Sequence, residues 1–203
     1  MIAIVDYGVG NLHSMLGAVK TLTDASAVTS EKSCIENAAK IILPGVGAFG
    51  DAAERLLETG LWDTVVKRAK AGVPVLGVCL GMQLLFEKSF EYGEHRGLAL
   101  LKGDICPLEN DLPKKVKVPH MGWNALSIEK ECALTKYLKN GDYVYYVHSY
   151  YAKNIDSLNA ASEYAGVWVP GLVSEGTVFG CQFHPEKSGE TGLKILKAFT
   201  EVE

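Results

Sequence analysis

Val73 to Phe86 reads Val-Pro-Val-Leu-Gly-Val-Cys-Leu-Gly-Met-Gln-Leu-Leu-Phe. An apolar run of strand length meets a cysteine set between two glycines, and an apolar helical pattern begins at once. This is the pattern of a nucleophile elbow, a sharp strand-to-helix turn that lifts a reactive side chain to the top of an α/β sheet. Serine is the usual residue at the turn; Cys79 stands there in this chain. Glycine at 77 and 81 fits a turn too tight for a Cβ next to the nucleophile. The helix that follows points its backbone N–H groups at the sulfur and favours thiolate over thiol. The chemistry this motif predicts is attack of a thiolate on a carbonyl, with a covalent acyl intermediate.

The surrounding pattern extends the elbow into a fold. Ile2 to Val5 and Lys40 to Leu43 read as strands, and Val73 to Val78 as the strand that feeds the elbow. Asn11 to Leu22 carries Leu12, Met15, Leu16, Val19 and Leu22 near helical spacing, and Asp51 to Ala71 contains helix broken near Gly60. Short apolar strands joined by helices imply a parallel sheet covered on both faces, a three-layer, flavodoxin-like α/β arrangement. The second half changes character. Val116 to Pro119, Ala125 to Ile128, Tyr143 to Tyr151, Ala160 to Tyr164, Val167 to Leu172 and Thr177 to Phe183 read as strands with few helices between them. They predict a mixed or antiparallel extension of the sheet, closed by a helix over Thr191 to Glu201. No repeat, linker or low-complexity segment divides residues 1–203, so one domain is expected.

Composition narrows the function classes. The net charge is −4 with no basic block, which argues against nucleic acid as a main partner. No apolar stretch approaches the ~20 residues that span a bilayer, and the opening Met1 to Gly8 reads as a strand rather than a signal peptide. The five cysteines are odd in number and scattered, so reduced thiols in a cytoplasmic protein are expected, without a zinc site.

A cysteine nucleophile needs a base, and the base needs an orienting group. Among five histidines, His184 ends the run Val-Phe-Gly-Cys-Gln-Phe-His-Pro-Glu. Gly180, Gln182 and His184 share one face of that strand by the period of two. Glu186 continues the face if the chain stays extended, and it is placed to accept from the Nδ1–H of His184 and leave Nε2 for Cys79. An oxyanion also needs donors, each worth ~10²–10³ in rate. The Leu80 N–H is one, and the loop Pro44-Gly45-Val46-Gly47 after the second of these strands offers another. Gly45, Gly47 and Gly50 do match a dinucleotide-binding spacing. The next strand ends in Gly77-Val78-Cys79, however, without the carboxylate that motif requires, and His13 occupies the third glycine position of the Gly8-Val9-Gly10 loop. No cofactor is expected.

These residues resemble a known family. The Gly-Val-Cys-Leu-Gly-Met-Gln elbow, the Pro-Gly-Val-Gly loop and the terminal His-Pro-Glu look like a class I glutamine amidotransferase, from the first strand to the last helix. Asp6 to Asn11, Pro119-His120-Met121-Gly122-Trp123-Asn124 and His184 to Gly189 are similar to segments of one branch, the glutaminase subunits of imidazole glycerol phosphate synthases. The resemblance implies that the Cys79 thiolate attacks the side-chain amide of glutamine and that His184 protonates the departing ammonia. Leu80 and the Gly45–Gly47 loop would hold the oxyanion, Gln83 would contact substrate, and His148, Ser149 and Tyr150 would hold the amino-acid end. It also implies a (β/α)8-barrel cyclase subunit as partner, facing Asn11, Met121, Trp123 and Lys187. Ammonia would pass to it to form imidazole glycerol phosphate and an aminoimidazole carboxamide ribotide in histidine biosynthesis. A glutaminase subunit of another pathway, a stand-alone cysteine hydrolase on the same architecture and a non-catalytic scaffold are the competing readings.

Overall fold

In a computed structural model describing residues 1–203, strand residues alternate between two separate cores. In chain order the elements begin with β1 (Ile2–Val5), α1 (Leu12–Lys20), β2 (Ser26–Thr29), α2 (Lys32–Glu36), β3 (Lys40–Gly45), α3 (Phe49–Glu58), α4 (Leu61–Lys70), β4 (Val75–Cys79) and α5 (Leu80–Leu84). They continue with β5 (Lys88–Ser89), β6 (His95–Arg96), β7 (Asp104–Pro107), β8 (His120–Ala125), β9 (Ser127–Ile128), β10 (Tyr143–His148) and β11 (Tyr150–Lys153). The last are β12 (Leu158–Tyr164), β13 (Val167–Glu175), β14 (Val178–Cys181) and α6 (Gly189–Thr200).

The eight-stranded sheet has the order β2-β1-β3-β4-β14-β13-β12-β9. From β2 to β14 the strands are parallel, and β13, β12 and β9 extend the sheet antiparallel. Ala3, Val5, Ile41 and Leu43 point into one core with Ile35 of α2, Leu56 of α3 and Val65 of α4. Ile2, Ile4, Ile42, Leu76 and Val78 point into the other, with Met15 and Val19 of α1 and Ile195 and Phe199 of α6. Burial on both faces is what continuously apolar strands require, and the result is the expected three layers. Two smaller sheets stand beside it: the antiparallel pair β10-β8, and the four-stranded β11-β7-β5-β6.

The sequence pattern is corrected in four places. Val116–Pro119 forms no strand; β8 begins after Pro119, which has no N–H to give to a ladder. Tyr143–Tyr151 is not one strand but two, β10 and β11, which change sheets at Ser149. Ala125–Ile128 straddles the end of β8 and the short β9. The short elements β2, α2, β5, β6 and β7 carry too few residues to show a period. The break in the Asp51–Ala71 region does fall at Gly60, whose φ of 68 suits glycine.

Candidate active site

Cys79 is the last residue of β4, with φ 54 and ψ −111. A non-glycine residue held there costs of order 1–3 kcal/mol and persists only where its surroundings over-determine it. They do so here. Cys79 lies opposite Gly45 of β3, and the start of α5 folds back so closely that a Cβ on Gly77 would sit 2.6 Å from Gly81 O. A Cβ on Gly81 would drive into the carbonyl oxygen of Leu43. Both glycines are therefore steric requirements of the elbow. The helix after it is only Leu80–Leu84, shorter than the apolar pattern to Phe86 suggests.

The cysteine is 7% exposed, and His184 lines the same pocket. Past β14 the chain does not stay extended: Pro185–Lys187 is a 3-10 turn. The turn nevertheless brings Glu186 Oε1 to 2.9 Å from His184 Nδ1. A carboxylate oxygen only accepts, so Nδ1 carries a proton and Nε2 is left free of Glu186. The two side chains are 3% and 2% exposed. Burial pulls the His184 pKa down, but the neighbouring Cys79 and Glu186 outweigh it and push it up to about 9. The turn is stitched to β10: His184 N donates to Tyr145 O at 2.9 Å, and Ser188 Oγ accepts from Tyr145 N while donating to His184 O.

In front of the sulfur lies a pocket of about 310 Å3, large enough for an amino acid. It gathers the sequence-predicted Val46, Gly47, Leu80, Gln83, His148, Ser149, Tyr150 and His184. Gly45 is not on its wall but in β3 behind Cys79, where a Cβ would crowd Gly81 N at 2.8 Å and the Tyr7 hydroxyl at 2.9 Å. Tyr7 spends its hydroxyl on Pro44 O at 2.7 Å, fixing the loop's base. Gln83 gives its amide nitrogen to Tyr150 O and to Gln182 Oε1, both at 3.0 Å.

Three further residues stand at the site without having been read from the sequence. Pro119 closes one side of the pocket. Glu91 lines it too, with Oε2 accepting from Phe49 N at 2.6 Å. Burial raises the Glu91 pKa, against the lowering effect of that bond. Nothing in Phe90-Glu91-Tyr92 marks an acid that reaches the start of α3. Gln182, just past the end of β14, is buried with Nε2 at 3.8 Å from Cys79 Sγ.

Behind the pocket wall is a paired histidine network. His148 Nδ1 is 2.9 Å from Tyr150 O, and His148 Nε2 is 3.0 Å from His120 Nδ1. The carbonyl accepts, so His148 carries its proton on Nδ1 and accepts from His120 at Nε2. His120 Nε2 then accepts from Asn124 Nδ2 at 3.3 Å. Burial lowers the His120 pKa to about 4; burial and then the His120 charge lower that of His148 to about 3. His120 is stacked between Tyr146 and Tyr164. The other side of the β8–β10 pair is open: Met121 is 63% and Trp123 56% exposed. Lys187, the last residue of the Pro185–Lys187 turn, is exposed, and Asn11 is half-buried before α1.

No three His, Cys, Asp or Glu side chains converge to hold a metal ion, and no helix is long and apolar enough to cross a membrane. Residues 3–202 match the family model described as Glutamine amidotransferase class-I. The chain belongs to the class I glutamine amidotransferases. This amidotransferase is 50% identical over 204 residues to a protein of Caldanaerobacter subterraneus subsp. tengcongensis named imidazole glycerol phosphate synthase subunit HisH, covering 100% of this chain and 98% of that one. A protein of the same name from Lactococcus lactis is 47% identical over 201 residues, 98% of each chain. Among solved structures, one described as a glutamine amidotransferase superposes with a TM-score of 0.76 at 19% identity, covering 98% of this chain and 100% of that one. The PurLQS structure from Thermotoga maritima gives 0.75 at 20%, covering 98% and 96%. At those identities the structures bear on the amidotransferase fold alone.

Proposed function

We propose that this amidotransferase is the glutaminase subunit of an imidazole glycerol phosphate synthase, with Cys79, His184 and Glu186 as its triad. The observation that carries the chemistry is His184, held at Nδ1 by buried Glu186 at 2.9 Å and lining one pocket with Cys79. The Cys79 thiolate attacks the side-chain amide carbon of glutamine. The Leu80 N–H and an amide of the Val46–Gly47 loop hold the oxyanion, while His184, protonated at neutral pH, gives its proton to the departing ammonia. A water then gives a proton to His184 as it attacks the thioester, and the thiolate leaves. Proton transfer of this kind contributes ~10²–10⁴ in rate. In the pocket Glu91 is the one carboxylate, suited to the α-ammonium of glutamine, and His148, Ser149 and Tyr150 face the same amino-acid end.

The relatives' name describes a subunit, which supports a partner that consumes the ammonia. We assign this partner to the (β/α)8-barrel cyclase class and its docking face to Met121, Trp123, Asn11 and Lys187. The small residues of the Val46–Gly47 loop leave it unset for the oxyanion until the partner docks. Glutaminase assay of the chain with and without a barrel cyclase and its ribotide ligand tests this. Turnover should be near silent alone and rise in the complex, and Cys79→Ala should abolish it. Binding to an anthranilate-type synthase but not to a cyclase would overturn the pathway, and turnover by Cys79→Ala would overturn the triad.

A further inference from the structure

Gln182 is fully buried, two residues before His184, and its amide nitrogen lies 3.8 Å from Cys79 Sγ. Which end of an amide faces a neighbour is ordinarily an open choice. Here it is fixed from a distance. Tyr150 O is a carbonyl and only accepts, so Gln83 must turn Nε2 toward it, at 3.0 Å. The same nitrogen meets Gln182 at 3.0 Å, and a donor there needs an acceptor. Gln182 therefore turns Oε1 to Gln83, which leaves its Nε2 on the side of the sulfur. Flipping Gln182 would set two N–H groups face to face at one end and an oxygen against the sulfur at the other.

We infer that Gln182 is a catalytic residue that donates an N–H to Cys79 Sγ, and that Gln83 is the positioning residue that holds the Gln182 amide the right way round. The inference rests on Cys79 being the nucleophile. The sulfur carries charge twice in the cycle, before it attacks the amide carbon and when the thioester C–S bond breaks. His184 cannot serve it evenly, because its proton goes to ammonia in the first half and is regained from water in the second. The Gln182 N–H is never transferred, so it stays available at both charged stages. Gln83 is thereby reassigned: both its amide hydrogens are engaged within the protein, and only its Oε1 remains for substrate.

Two variants separate donation from packing. Gln182→Glu keeps an acceptor for Gln83 but sets an oxygen against the sulfur. Gln182→Met keeps the volume and removes the donor. Two rates are read at one neutral pH: glutamine turnover of the chain with its partner subunit, and alkylation of Cys79 by iodoacetamide in the chain alone, followed by peptide mass spectrometry. Hydrogen bonds to charged groups predict that Gln182→Glu lowers both rates by about 10- to 100-fold, with KM for glutamine unchanged and Gln182→Met in between. If Gln182→Glu does not fold, Gln182→Met decides by the same rates. Wild-type alkylation and kcat in a folded variant would overturn the role of Gln182, and so would a loss expressed only in KM. Cys79→Ala in the same assay keeps the two ideas apart: its turnover reports on the nucleophile and not on Gln182.

Discussion

Acid should destabilise this protein through the buried pair His120 and His148. In the folded chain each ring has one proton and one use for it. A second proton on His148 Nε2 would point at the His120 N–H, and one on His120 Nε2 would point at the Asn124 amide nitrogen. Burial adds to this, and the two pKa values fall from 6.5 to about 4 and about 3. The unfolded chain binds both protons near 6.5, so the neutral folded pair contributes its full stability above that pH and loses it as pH falls. For His120 alone, a drop from 6.5 to about 4 corresponds to about 3 kcal/mol. His148 shares the same bond and is not added to it. A chain of this size melts roughly 2–4 °C lower per kcal/mol, so Tm should fall by roughly 6–12 °C over the window. Thermal melts from pH 7 to pH 4 of the wild type and of His120→Phe make the comparison. Phenylalanine keeps a ring between Tyr146 and Tyr164, whose centroids lie 4.6 and 4.1 Å from that of His120. It also frees His148 Nε2 to take a proton. The variant should melt lower at neutral pH, by about 1–3 kcal/mol for the orphaned nitrogen, and show a flatter acid limb. Parallel acid limbs would refute the assignment.

His184 predicts the opposite limb. Its folded pKa of about 9 lies above the unfolded 6.5, so its contribution is complete below 6.5 and lost as pH rises through 9, and Glu186→Gln should flatten alkaline destabilisation in the same melts. That variant should also lose about 10²–10⁴ in kcat, because His184 then lacks the charge that holds its proton; a kcat within twofold of wild type counts against the triad. Glu91→Gln keeps an acceptor for Phe49 N but removes the charge, and steady-state kinetics should show KM for glutamine raised about 10- to 100-fold with kcat little changed. An unchanged KM would remove Glu91 from substrate binding. Gly81→Ala should cost about 3 kcal/mol or more in urea denaturation, since its Cβ meets the backbone of Leu43; wild-type stability would mean that the elbow relaxes.

The parallel half of the fold was legible because its strands are buried on both faces. Ile2–Val5 and Val75–Cys79 are apolar throughout, and no other arrangement hides them. The boundaries of β8, β10 and β11 were not, since residues such as Tyr143 to Tyr151 suit any strand and nothing local records that Ser149 divides two sheets. At the site, Cys79, Leu80 and His184 could be read because each sits in a short motif whose geometry is local. Glu186 meets His184 through a turn, where the period of two implies an extended strand. Glu91 had no local signal, as its bond to Phe49 spans 42 residues. Gln182 did have one, the period of two that places it beside His184, but nothing in sequence says that an amide on that face reaches sulfur.

The antiparallel pair β8–β10 has its own two-stranded ladder and is absent from the eight-stranded sheet that carries Cys79. Its outer positions, Met121, Trp123 and Tyr143, are exposed, while His120, Tyr146 and His148 are buried against the body of the molecule. Evolution can therefore rewrite one side of this ribbon without disturbing the register of any strand beneath the nucleophile. Substitutions at Met121, Trp123 or Tyr143 therefore alter what this face presents to solvent and leave the buried histidine pair and the sheet that carries Cys79 in place.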